Sequence, residues 1–451
     1  MATQTFMQSL TSAQLFGFSS TQLAGFTSTD LGYLTTTQFG DLTSTQLGGL
    51  TTTQLKGFGT ADWAAISTSQ INGLTSTQLA GLATTQIAAI GSTAIFGLTS
   101  GQLSGLTTAQ MGVISTTAFS VLTSGQLSGL TTTQLSKIST ADIALLTTSQ
   151  LNGLTSTQLG GLTTTQITAI STTAFPGLSS GQLSGLTTAQ LAKFTTADIA
   201  LLTTSQVNGL TSTQLAGLTT QQIAAITSTA ILGFTSGQLS GLTTAQMGVI
   251  STTSFSVLSS GQLSGLTTTQ LAKISTADIA QLTTSQLNGL TSTQLVGFTT
   301  SQIAAISTTA FPGLSSGQLS GLTTTQLAKF TTADIALLTT SQVNGLTSTQ
   351  LAGLTTSQIA AVTSTAILGF TSGQLSGLTT AQIGVISTTA FSVLSSGQLS
   401  GLTTTQLAKI TTADIALLTT SQLNGLTSTQ LVGFTTSQIA AISTTAFPGL
   451  S

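Results

Sequence analysis

The chain has 451 residues, of which six Lys and eight Asp make up the 3% that are charged; net charge is −2, and Arg, Glu, His and Cys are absent. So sparse a charge offers no basic surface to nucleic acid or anionic lipid, and the lack of Cys excludes disulfides and thiolate metal sites. Without His, Cys or Glu the usual general bases, thiol nucleophiles and common metal ligands are missing, so no enzyme, cofactor or metal site is expected.

Residues 1–10, Met-Ala-Thr-Gln-Thr-Phe-Met-Gln-Ser-Leu, have neither a basic block nor an apolar block, so no cleavable signal peptide is expected at this end. Mean hydropathy is +0.46, yet an apolar run such as Ile143-Ala144-Leu145-Leu146 is four residues long. A bilayer needs about 20, so no membrane span is predicted.

From Leu10 onward a large apolar residue stands at every eighth position to Leu450, and a second follows five places later, as at Leu15, Leu23, Phe39 and Trp63. The unit reads L-T-T-x-Q-L-x-G, for example from Leu178 to Gly185. With Leu10 as position 1, position 2 is Thr or Ser except at sites such as Gly59, Ala83 and Gly91, and position 5 is mostly Gln. A hydroxyl followed three residues later by Gln is a capping box. The two apolar positions then fall at N′ and N4, the places of a hydrophobic staple. Thr187, Gln182 and Thr211 are therefore predicted caps.

A continuous helix would carry the apolar stripe around its axis by about 80° per octad. Each octad is therefore predicted to be one very short capped helix, giving an all-α solenoid. A β-solenoid is the alternative, favoured by Thr content, although apolar spacings of 5 and 3 would send the two side chains of an unbroken strand to opposite faces. Position 8 is often Gly, as at Gly185, but Ala89, Val121, Lys137 and Leu145 also occupy it. Close packing rather than a left-handed backbone is expected there.

Residues 1–100 are less regular, with Asp30, Tyr33, Asp41, Lys56 and Trp63, and are read as a cap or docking end. Trp63 stands at apolar position 6, a core position rather than a sugar platform. Residues 101–451 form the regular array, with a 136-residue super-repeat visible in Gly101, Gly237 and Gly373. Some octads replace the Gln by Ala, or by Ser254, and three of these carry Pro176, Pro312 and Pro448. With the following Gly181 and Gly317, these prolines are predicted joints, because Pro removes a helical donor.

Lys recurs five residues before Asp, as in Lys137/Asp142 and Lys193/Asp198. The plain expectation is an Asp cap at a helix N-terminus; the functional one is a register charge between laterally packed chains. Lys-bearing octads recur at intervals of 7 and 10 octads, which share no factor of two or three, so charge does not fix the number of octads per coil.

Runs such as Leu130-Thr-Thr-Thr-Gln-Leu-Ser136 and Leu162-Thr-Thr-Thr-Gln-Ile167 resemble the Thr/Gln octapeptide repeats of bacterial surface and secreted adhesin-like proteins. The resemblance implies an extracellular or cell-surface location. The expected function is a non-enzymatic structural repeat protein, forming a rod, a self-assembling filament or a surface fibre. Its partners would be copies of itself, and the cell surface or a glycan. The sequence ends at Pro448-Gly449-Leu450-Ser451 without a polar cap, which also points to self-association. Regular Thr/Ser ranks suggest an alternative, a binding surface for ice, glycan or mineral; an intracellular scaffold is a third.

Overall fold

The computed structural model describes residues 2–447. Among them the chain forms 51 α-helices and four 3₁₀ turns, with no strand. The octad accounts for this directly. At Thr187 the backbone is extended (φ −72°, ψ 158°), the helix runs Thr188–Leu191, and Ala192 ends it in the right-handed region. Four to six residues cannot sustain a helix alone. What stabilises each one is its cap and the burial of both apolar positions, as with Leu183 and Leu186.

The helices stack at a fixed interval. Ser76–Gly81 packs on Ser100–Gly105, Thr140–Ala144 on Thr164–Ala169, and Ser316–Gly321 on Thr340–Gly345. Within each of the two compact units a helix thus meets its neighbour 24 residues on, so one coil is three octads.

Two compact units divide between Gly233 and Phe234. In the first, residues 2–233, capped helices begin well before residue 100. Its core includes the fully buried Trp63, whose ring lies 5.8 Å from Phe39. Phe39 in turn meets Phe58 at 4.7 Å. The second unit, residues 234–447, repeats the pattern, with Phe311 against Phe330 at 4.8 Å.

Position 8 explains its own glycines. Among the described residues no glycine has positive φ; Gly185 sits at φ −77°. A Cβ on Gly185 would lie 2.7 Å from the Cβ of Ser156, and one on Gly161 2.9 Å from that of Thr132. Glycine is there because position 3 of the preceding coil presses against it.

Candidate functional site

The recurrent feature is the position 5 amide. Gln182 Oε1 accepts the Ser179 backbone N–H at 2.8 Å, while the Gln182 N–H donates to Ser179 Oγ at 3.2 Å. Its Nε2 then donates to the carbonyls of Leu151 (2.9 Å), Asn152 (3.2 Å) and Leu154 (2.6 Å). One side chain therefore caps the N-terminus of its own helix and the C-terminal carbonyls of a helix in the coil before it. Both ends of a short helix leave unpaired backbone groups. A single amide meets some at each end.

The pattern recurs through both units. Gln158 reaches Leu127, Ser128 and Leu130; Gln326 reaches Leu295, Val296 and Phe298. Burial follows the availability of a coil beneath. Gln14 and Gln22 are exposed, whereas Gln38, the first to find carbonyls at Met7 and Leu10, is buried.

Thr187 and Thr211 stand where the capping box put them. Thr187 Oγ1 accepts the Gln190 N–H at 3.2 Å and donates to Gln190 Oε1 at 3.0 Å. Thr211 Oγ1 likewise accepts the Gln214 N–H at 3.1 Å. At Ala83 the hydroxyl is missing, yet the Ala83 N–H still donates to Gln86 Oε1 at 3.0 Å and the helix Thr84–Ala89 forms.

The octads read as joints are tied down by the coil beneath them. Pro176 lies in the 3₁₀ turn Phe175–Gly177 and Pro312 in Phe311–Gly313. Asn152 Nδ2 donates to the Gly177 carbonyl at 2.8 Å and Thr148 Oγ1 to that of Thr173 at 3.3 Å. Asn288 and Thr284 do the same for Gly313 and Thr309. Pro448 lies outside the described residues. Gly181 and Gly317 correct the expectation made for them. Each lies inside an ordinary capped helix, with no neighbour near enough to require glycine, so neither marks a bend.

The charged pairs also differ from their lateral role. Lys137 and Lys193 are on the surface, but Asp142 and Asp198 are buried, which puts the carboxylates out of reach of a neighbouring chain. Asp142 Oδ2 accepts from the Ser139 hydroxyl at 2.6 Å and its N–H at 3.2 Å. Its Oδ1 is buried without a hydrogen-bond partner, as are those of Asp198, Asp278, Asp334 and Asp414. The Thr/Ser ranks are similarly engaged: position 2 serves the caps, and position 3 packs beneath position 8 glycines. Position 4 remains as an exposed rank, interrupted by residues such as Ala109 and Gly181.

The sequence reading missed the second half of the Gln amide and the Asn staples. The staples had a signal: Asn152, Asn208, Asn288 and Asn344 each precede a joint glycine by 25 residues, three octads and one place.

Fold and ladder define a helical solenoid repeat protein. A model of the ALTTAQ repeat matches residues 56–92, 135–172, 191–228, 271–308, 327–364 and 407–444, just over half of the chain. The chain belongs to the ALTTAQ repeat family. Each matched stretch holds one of the buried Asp residues, from Asp62 to Asp414. No curated protein matches the chain.

Proposed function

We propose that the protein is a non-catalytic structural element, a spacer or fibre component that associates with copies of itself at a cell surface. The ladder supports this reading most. The residue types that elsewhere do chemistry, Gln, Thr, Ser and Asp, are here spent largely on capping helices and, for Gln, on joining one coil to the next. Self-association is supported by the surface. It carries few charges to repel a second copy, and it exposes aliphatic side chains one coil apart. Val121 and Leu145 are such a pair in the first unit, Val393 and Leu417 in the second. Electron microscopy and light scattering at micromolar concentration test it. The expected result is filaments or lateral assemblies that Val121→Lys and Leu145→Lys together weaken. A monodisperse monomer at physiological salt contradicts self-association. Replacing exposed position 4 threonines such as Thr133 and Thr157 by bulky residues should leave a spacer unaffected; loss of adhesion would favour a binding surface instead.

A further inference from the structure

Five octads break the ladder in the same way. Asp142, Asp198, Asp278, Asp334 and Asp414 stand at the Gln position and are 2–8% exposed, each with Oδ1 buried and without a hydrogen-bond partner. In Gln octads such as that of Gln158, Nε2 donates to carbonyls 28, 30 and 31 residues earlier. Counted from Asp142, the same offsets fall on the carbonyls of Met111, Gly112 and Ile114. Counted from Asp198, they fall on those of Ile167, Thr168 and Ile170. Carboxylate and carbonyl oxygens are both acceptors, so nothing in the register pairs them. A buried charge left so is costly unless something positive or hydrogen-bonding stands between.

A sixth Asp supplies the contrast. Asp62 Oδ1 accepts from Thr36 Oγ1, 26 residues earlier, at 2.8 Å. The other five have Thr at the same offset: Thr116, Thr172, Thr252, Thr308 and Thr388. What differs is position 8 of the Asp octad. It is Ala65 beside Asp62, but Leu145, Leu201, Gln281, Leu337 and Leu417 beside the others. Position 8 borders the coil beneath at glycines such as Gly185, and in the five octads its longer side chain is exposed. The five also stack on octads whose Gln is Ala or Ser, including those of Pro176 and Pro312.

We propose that each of the five is a binding site for one monovalent cation of about potassium's size. It would be held between the Asp Oδ1 and the backbone carbonyls that elsewhere receive Nε2, with the Thr hydroxyl at its side. Carbonyl oxygens can replace the hydration shell of such an ion. One carboxylate matches a single positive charge. The Gln Nε2 marks the ion's place, 2.6 Å from the Leu130 carbonyl and 3.0 Å from that of Leu127 at Gln158. Mg²⁺ and Ca²⁺ favour shorter contacts, about 2.0–2.1 and 2.3–2.6 Å, and Ca²⁺ takes six to eight oxygens. The chain's own lysines, Lys56, Lys137, Lys193, Lys273, Lys329 and Lys409, lie exposed on the surface.

The test uses the full chain and the residue the ladder already accepts. Thermal unfolding is followed in potassium chloride and in choline chloride at equal ionic strength. This is done for the native chain, for Asp142→Gln, and for the variant with all five Asp replaced by Gln. The native midpoint should rise by a few degrees in potassium. The single variant should lose part of that rise and the fivefold variant all of it. An equal native midpoint in both salts, or a potassium response kept by the fivefold variant, overturns the proposal. Crystals of the native chain soaked in rubidium chloride give a second reading that does not depend on the variants. Anomalous peaks beside Asp142 and Asp198 Oδ1 support the site; a water or a Lys ammonium there instead overturns it.

Discussion

Residues 138–145 and 154–161 build the same helix and connect it differently. Their N-caps are nearly superimposable, Ser139 at φ −69°, ψ 155° and Thr155 at φ −72°, ψ 158°, and each is followed by a five-residue helix. Gln158 then reaches three carbonyls of the coil before it, while Asp142 Oδ1 has no partner. Position 8 is Gly161 in one and the half-exposed Leu145 in the other. Helix formation and coil joining are therefore separate instructions. The first is written in the hydroxyl, the staple and one amide oxygen; the second in the amide nitrogen and the glycine.

The largest loss is expected at Gln158. Gln158→Leu removes the acceptor of the Thr155 N–H and the donor to the buried Leu130 carbonyl. It should cost about 2–4 kcal/mol in chemical denaturation. Gln14→Leu, where the Gln is exposed, should lose a cap alone, about 0.5–1 kcal/mol. Equal costs at the two positions would mean that the inter-coil bonds contribute nothing.

Glycine gives the next largest contrast, within one octad. Gly185→Ala drives a methyl against Ser156 and should cost about 1–3 kcal/mol. Thr187→Ala, measured the same way, should cost about 1 kcal/mol. Gly181→Ala places its methyl in open space on a helix and should stabilise by about 0.5–1 kcal/mol. If Gly181→Ala destabilised as much as Gly185→Ala, the assignment of position 8 to inter-coil packing would fail.

The helix, its start and its staple were legible because they are local: Thr187, Gln190 and Leu191 lie within one octad. Trp63 was readable as core from its position in the repeat. Coil size was not read, because nearly identical octads satisfy the apolar pattern at any number per coil. Lys137 and Lys193 were the wrong markers, since they lie on the surface and do not stack on one another. Asn152 and Gly177, paired across 25 residues, carried the answer in plain view. The joints at Pro176 and Pro312 were recognisable as irregular, but their tethering by Asn152 and Asn288 is a contact between coils, invisible to local reading. The burial of Asp142 follows from stacking for the same reason.

Disulfide formation can report the three-octad coil cleanly, because the chain has no Cys of its own. A Cβ at Gly321 would lie 3.0 Å from the Ser292 Cβ, within a small adjustment of the about 3.5–4.5 Å of a disulfide. Gly321→Cys with Ser292→Cys should oxidise to an intramolecular bond under native conditions. Gly321→Cys with Thr300→Cys, the partner that a two-octad coil would supply, should not. The reverse outcome, a bond to position 300 and none to 292, would contradict the three-octad coil.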